Sequence, residues 1–349
     1  MNIERPDLSQ VDSQVRAYIE ALEAELERLR GEEATSERAA AAAPLEPSEP
    51  PTTLNLITVS AGGLAKRTPR HLYFRQRRGG MGIFDLETPE SDPPAFLTIA
   101  DESQSLLLIT NHARAFRVPV NNLPESPVRS RGQLLTERLP FRPDERLAIV
   151  LPGQPTGYVA LVTERGHVRR LRHHYLGDNL RPGTLLFEVQ ELGAPAAACW
   201  TPGEADLFIA TAQGKAIRFA EQRVPHSGCL GIRLDRDDTV VAVAPVQEDS
   251  SVFLLGDDGK GALRLMAGFA ANKAPGAGGK VALKTDKLVG AVTAAAHDDL
   301  FIISRLGKMI RFQAGEVPAK EGVVQGVNCM ALRADETVAL AVGHMPVPG

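Results

Sequence analysis

The residues with the plainest chemical potential are Gln76-Arg77-Arg78-Gly79-Gly80-Met81-Gly82, three glycines and two arginines in seven positions, flanked by apolar, strand-like segments. Glycine lets a backbone approach another chain closely or take positive φ, and arginine offers a rigid planar fork of donors for phosphate oxygens. A loop of this kind suits phosphate binding, a catalytic step or a tight turn. Two other stretches, Gly256-Asp257-Asp258-Gly259-Lys260-Gly261 and Gly276-Ala277-Gly278-Gly279-Lys280-Val281, look superficially like nucleotide loops. Neither has the GxxxxGK[ST] spacing or leads into a helical pattern, so nucleotide binding is not expected. Asp235, Asp237 and Asp238 lack the glycine and closing glutamate of a calcium loop and read as a polar turn. The eight histidines, His173-His174 among them, have no partners at metal or triad spacing. Cys199, Cys229 and Cys329 form no CxxC pair; neither a disulfide framework nor zinc is expected, and the thiols read as buried apolar groups. No cofactor is expected.

The elements that must position these residues are repeats. From residue 54 a unit recurs: an apolar strand, a Ser or Thr, a turn, and a second strand with a basic residue about four positions beyond the turn. Six copies align: LITVSAGGLAKRT, LLLITNHARAFRV, VALVTERGHVRRL, LFIATAQGKAIRF, VFLLGDDGKGALRL and LFIISRLGKMIRF, with turns at Gly63, Ala113, Gly166, Gly214, Gly259 and Gly307. Two further strand signals follow in each unit, clearest at Leu230–Leu234 before Thr239–Val243, and at Val327–Leu332 before Glu336–Val342. With no helical period after residue 54, the expected fold is all-β, a six-bladed propeller-like disc of four-stranded blades over residues 54–345. Two unrelated β-sandwiches would leave the sixfold repetition unexplained.

Ahead of the repeats, Val15, Ile19, Leu22, Leu26 and Leu29 alternate at spacings of four and three among charged residues, which predicts an amphipathic helix within residues 1–30. A helix this short needs a cover for its stripe: a second copy through residues 11–30, or a groove on the main body. Residues 31–53, rich in Ala, Pro and Glu, read as a linker. The net charge of −4 is uneven. Residues 1–50 hold 12 acidic and 5 basic side chains, leaving 31 acidic and 34 basic in residues 51–349. A body at +3 permits nucleic-acid binding without demanding it. No apolar run is long enough to span a bilayer and no secretory signal is evident, so a cytoplasmic location is the default expectation.

The six units and the heptapeptide together resemble the C-terminal DNA-wrapping domain of the A subunit of bacterial DNA gyrase and of the related topoisomerase IV subunit, over roughly residues 54–345. That family forms a β-pinwheel whose first blade carries a Gln-(Arg/Lys)-Arg-Gly-Gly-(Arg/Lys)-Gly box. Gln76, Arg77, Arg78, Gly79, Gly80 and Gly82 match; Met81 stands where the family has a basic residue. Ala65-Lys66-Arg67-Thr68, His226 to Leu234 and Gly278-Gly279-Lys280-Val281 are also family-like. The resemblance implies non-catalytic, largely sequence-independent binding of double-stranded DNA, bent or wrapped along the basic rim of the disc, with contacts chiefly to phosphate. It also implies that the box latches the first blade to the last.

The rim candidates are the box together with Lys66, Arg67, Arg114, Arg117, Arg169, Arg170, Arg172, Lys215, Arg218, Arg264, Lys280, Lys308 and Arg311. Glu137, Glu164 and Met81 weigh against tight wrapping. The cleaving tyrosine of gyrase has an adjacent arginine; none of Tyr18, Tyr73, Tyr158 and Tyr175 follows one, so no enzyme is expected. The expectation is a stand-alone, nucleoid-associated accessory of DNA topology. Its alternative is a protein-interaction propeller that docks on a topoisomerase subunit with weak or no DNA binding.

Overall fold

The computed structural model describes residues 12–25 and 49–345. Chain contacts divide it into two units, Met1–Glu46 and Pro47–Gly349. In the first, residues 13–25 are helical, and the Asp12 carboxylate accepts the Gln14 N–H at 2.9 Å as an N-terminal cap. Val15, Tyr18 and Leu22 are exposed. Leu26 and Leu29 of the expected stripe, and most of the linker, lie outside the described residues.

The second unit is built from six sheets. In blade 1 the order from one edge to the other is Pro94–Asp101, Leu54–Ser60, Leu64–Pro69 and Gln133–Leu134. The inner strands of blades 2 to 6 are Leu147–Pro152, Pro195–Thr201, Val240–Val246, Leu288–Thr293 and Thr337–Gly343. Each touches its neighbour in chain order and the last touches the first, so they form a closed ring around an axial channel of about 690 Å³. The outer strands of blades 2 to 6 are Thr184–Leu185, Cys229–Leu230, Lys280–Val281, Val327–Asn328 and Ile83–Phe84. Blade 5 gains a fifth, parallel piece, Ala319–Lys320.

The blades are therefore not the sequence units. Each unit keeps its hairpin and inner strand and lends its third strand to the blade before it, and unit 1 lends Ile83–Phe84 to blade 6. The long strand signals at Leu230–Leu234 and Val327–Leu332 give way to two-residue strands, Cys229–Leu230 and Val327–Asn328. The reason is local: Gly231 and Ile232 N–H both turn to the Gly166 carbonyl, and Cys329 and Met330 N–H to that of Gly259. The six turn residues all take positive φ, including Ala113 at 54°, which supports the repeat alignment position by position.

Apolar clusters form between successive blades, because period-two alternation sends every other side chain of a strand to the facing sheet. Leu56, Tyr73 and Leu97 of unit 1 meet Phe301, Ile303 and Met309 of unit 6 in the cluster that joins the two ends of the ring. The end of the expected linker also belongs to the disc. Glu49 is buried against Arg70 and Arg311, Thr52 N–H donates to His71 Nδ1 at 3.3 Å, and Glu102 N–H donates to the Thr53 carbonyl. All three cysteines are free thiols. Cys329 is buried and its thiol is pushed up to about 12 by burial, while Cys199 and Cys229 are half-buried rather than fully buried. No described helix is long and apolar enough to cross a membrane.

Candidate nucleic-acid interface

The heptapeptide leaves the blade 1 hairpin and crosses to the last blade. Gln76 N–H donates to the Arg311 carbonyl at 2.7 Å, and Gly79 N–H to that of Cys329 at 2.8 Å. The Gly80 carbonyl accepts from Ala331 N–H at 3.0 Å, and Ile83–Phe84 then pairs with Met309 and Lys308. Arg78 is committed to the same contact: its N–H donates to Glu316 Oε2 at 3.0 Å, its Nε to the Glu316 carbonyl at 2.8 Å and its Nη1 to the Asn328 carbonyl at 3.1 Å. Gly79 and Gly82 sit at φ 79° and 71°, and a Cβ on Gly82 would lie 2.6 Å from the Met309 carbonyl oxygen. The geometry of this loop is a clasp. Arg77 alone among its cations is exposed, and among the described residues it carries no side-chain bond; Met81 is 40% exposed.

The basic residues of the second strands go elsewhere than the rim. Strand alternation points the residue four past the turn at the following blade, where a carboxylate or the carbonyls of a 3₁₀ turn receive it. Arg311 is 1% exposed, bonds Asp299 through Nε at 2.7 Å and Nη2, and caps the Arg70 and Tyr73 carbonyls at 3.1 and 2.9 Å. Arg218 makes the equivalent contacts two blades earlier, with Asp206 at 2.8 Å and the carbonyls of Met266 and Phe269 at 2.9 and 3.2 Å. Arg170 reaches Glu221 at 3.3 Å, Arg117 reaches Asp178 at 2.5 Å and Arg67 reaches Glu102 at 3.5 Å. These five arginines rivet blade to blade and do not offer free cationic ends to a ligand.

Lys66 is buried, paired with Asp85 at 2.7 Å and donating to the Val128 carbonyl. Arg114 binds Glu145 and the Gly183 carbonyl, Lys215 pairs with Asp235, and Arg169 donates to the Leu186 carbonyl at 3.0 Å. Lys308 lies over the Phe84 ring, 5.5 Å from its centre, and is half-buried. Of the cations in the expected set only Arg77, Arg172 and Lys280 are exposed at the surface.

Arg264 is the exception to the rivet. In other blades the arginine pairs across the hairpin with residues such as Phe208 or Phe301; in blade 5 that register, opposite Phe253, is held by Leu263, and Arg264 falls one position later, opposite Val252. One step along a strand reverses the face. Arg264 is thus 5% exposed in the equivalent of the Phe219 and Phe312 positions, with Nε and Nη1 unbonded among the described residues and the Phe269 ring 5.6 Å from its guanidinium. Burial pulls its pKa down. Replacing a buried, unpaired cation by an apolar group removes a desolvation cost, so Arg264→Leu should raise unfolding stability by about 1–2 kcal/mol after the lost ring contact. Urea unfolding monitored by Trp200 fluorescence measures it, and an unchanged or lower stability would mean that solvent already satisfies the guanidinium.

What strand-by-strand reading missed is the outer edge. The segments that deliver the outer strands are the periphery of the disc, and within two of them a run holds three cations and no carboxylate: 74–84, with Arg75, Arg77 and Arg78, ending just before Asp85, and 266–284, with Lys273, Lys280 and Lys284. They form the edges of blades 6 and 4. Between them, the blade 5 segment 314–328 carries one lysine and two glutamates. Exposed Arg131, Arg181 and Arg233 add single charges beside the outer strands of blades 1, 2 and 3. Searching the stretches between hairpin and inner strand for runs of cations free of carboxylates would have found these residues, whereas a charge count over 70–93 would not, since it holds four arginines and four carboxylates. No group of His, Cys, Asp and Glu among the described residues is arranged to hold a metal ion.

A family model described as DNA gyrase C-terminal domain, beta-propeller, matches residues 54–92, 104–152, 205–247 and 298–342, half of the chain. The chain belongs to that family. The matched residues fall in units 1, 2, 4 and 6 of the gyrase C-terminal fold; unit 3 and unit 5, which holds the Arg264 slip, lie outside them. The A-type chain of DNA gyrase from Mycolicibacterium smegmatis is 27% identical over 299 residues, covering 81% of this chain and 35% of the relative. Its counterpart from Escherichia coli strain K12 is 26% identical over 295 residues, covering 81% and 34%. The chain thus spans about a third of the length of the gyrase proteins it matches, the non-catalytic C-terminal part. A solved structure of the DNA gyrase A C-terminal domain superposes with a TM-score of 0.73 at 18% identity, covering 83% of this chain and all of that one. The C-terminal domain of DNA topoisomerase IV superposes at 0.59 and 19% identity, covering 83% and 93%.

Proposed function

We propose that this gyrase C-terminal-type disc binds double-stranded DNA along its outer edge, with little sequence preference, and bends it there in the service of DNA topology, on the nucleoid in the cytoplasm. The observation that carries the reading is the delivery of two carboxylate-free basic segments, 74–84 and 266–284, to the edges of blades 6 and 4. Arg77, Lys273, Lys280 and Lys284 are the exposed cations of these arcs. The acidic residues of the segment between them favour a bend anchored at two places over an even wrap around the whole rim. Arg172, on blade 3, extends the path.

Phosphate contacts release counterions, so four of them give a log–log slope of affinity against salt of about −3 to −4. A mobility-shift series with the full chain and two unrelated duplexes of equal length should find that slope, and affinities agreeing within about twofold. The absence of a shift at low salt would overturn the proposal. A second reading, docking on a topoisomerase subunit or a second copy through residues 11–30, draws support from the exposed stripe of Val15, Tyr18 and Leu22 on the described part of the helix. Sedimentation of the protein with Leu22→Glu against the parent separates it from the first.

A further inference from the structure

The outer strands carry a second regularity that has nothing to do with charge. The last residue of the two-residue outer strand is large, apolar and exposed in five of six blades: Phe84 at 50%, Leu134 at 45%, Leu185 at 50%, Leu230 at 36% and Val281 at 39%. In blade 5 the place is taken by Asn328. Each pairs with the residue directly after the hairpin turn, and in three blades that residue is basic: Phe84 opposite Lys308, Leu185 opposite Arg114 and Val281 opposite Lys215. The Phe84 ring is framed by two cations, with Lys308 Nζ 5.5 Å and the Arg129 guanidinium carbon 5.4 Å from its centre.

Cross-strand neighbours stand about 5 Å apart, so each of these blades sets an exposed apolar side chain beside a cation, with Lys308 lying over the Phe84 ring and Arg114 and Lys215 held by Glu145 and Asp235. A duplex backbone offers the complement of the apolar side chain, the face of a deoxyribose, repeated beside phosphates that the exposed cations of the outer edge can meet. The spots are separated by a whole blade and do not merge into the contiguous apolar patch that a protein partner uses. A repeated, isolated spot fits a repeating polymer laid along the edge.

We propose that the outer-strand apolar side chains, Phe84, Leu185 and Val281 first, pack on deoxyribose of the bound duplex and supply the part of the affinity that salt does not remove. This rests on the DNA-binding reading above and adds to it a non-ionic contact. Removing apolar contact area lowers affinity without changing the number of counterions released. The full chain with Phe84→Ser, Leu185→Ser and Val281→Thr should therefore bind a duplex roughly 10- to 100-fold more weakly at every salt concentration, with the log–log slope unchanged. Lys273→Ala with Lys280→Ala and Lys284→Ala should instead flatten the slope. Leu185→Ser alone, far from the clasp, should retain the parent unfolding midpoint and lose about threefold to tenfold at all salts, which guards against a folding defect in the triple variant. Parent-like affinity in Leu185→Ser and the triple variant, or a flattened slope with no salt-independent loss, would overturn the proposal. So would loss of self-association in the triple variant with DNA binding intact, which would make the edge a protein surface. Failure of the parent to bind DNA at any salt would instead strike the underlying reading.

Discussion

Arg311→Met should destabilise the disc by about 3–5 kcal/mol while leaving the volume of the site nearly filled. The guanidinium is shared between Asp299 on its own blade, Glu49 ahead of blade 1, and two carbonyls of the blade 1 turn, at 1% exposure. Removing it leaves the buried carboxylates of Asp299 and Glu49 without the cation they share, and leaves the Arg70 and Tyr73 carbonyls short of a donor. Arg75 touches Asp299 at 2.7 Å but is a third exposed, too hydrated to replace it. Thermal and urea unfolding give the magnitude, and limited proteolysis within 74–84 reports whether the clasp has opened. Arg77→Ala supplies the contrast: an exposed side chain with no bond among the described residues should shift stability by no more than about 0.5 kcal/mol. Equal effects from the two substitutions would show that the ring junction does not depend on the rivet.

Asp85→Ala should cost a comparable amount, about 3–5 kcal/mol, for a related reason on the other side of the clasp. Asp85 is fully buried immediately after the strand lent to blade 6, and it collects Lys66 at 2.7 Å, the Tyr73 hydroxyl at 2.5 Å and the Thr58 hydroxyl at 2.8 Å. Burial raises the carboxyl above its ordinary range, and Lys66 works against that rise. With the carboxylate gone, Lys66 is a buried cation holding only the carbonyls of Pro127 and Val128. Lys66→Met in the Asp85→Ala background should recover much of the loss, since an apolar pair tolerates burial better than a lone charge. If the double variant is no more stable than Asp85→Ala, the cost belongs to the lost hydroxyl bonds and not to the stranded lysine.

These two sites also mark where sequence stops being informative. The hairpins are legible because their cause is local: alternating apolar residues around a turn whose central residue needs positive φ. Six copies set the blade count. The third strands are not legible in the same way, since two residues pairing with another blade leave almost no periodic trace, and Leu230–Leu234 reads as five residues of strand where the paired piece is Cys229–Leu230. Lys66 and Arg311 read as rim residues because a cation near a turn looks solvated until the facing blade is known. Arg264 lies five positions past its turn residue Gly259 where the other five arginines lie four past theirs, a difference visible in the sequence whose meaning depends on which face of the strand is buried. Glu49 lies inside a Pro- and Glu-rich stretch whose composition says linker, and only its ion pairs with buried Arg70 and Arg311 explain its place. The box is legible as a motif, and the clasp it forms agrees with the latch that the family resemblance implies. Lys273 and Lys284, among the exposed cations of the outer edge, belong to no motif, and only the carboxylate-free run that holds them marks them in the sequence.

The lending of strands gives the ring a weak link fixed by chain length. Outer strands of the other blades pair with a hairpin at most 71 positions away, as Leu185 does with Arg114, whereas Ile83 must find Met309, 226 positions on. Loop-closure entropy grows as the logarithm of that separation and makes the last junction about 1 kcal/mol dearer than the others. Until it forms, the strand Lys308–Gln313 presents an unpaired edge, the kind of edge on which chains aggregate. The ends of the ring are thus the slowest contacts to assemble and the first to part, and the three hydrogen bonds of Arg78 and the rivet of Arg311 are concentrated where the polymer itself resists closure most.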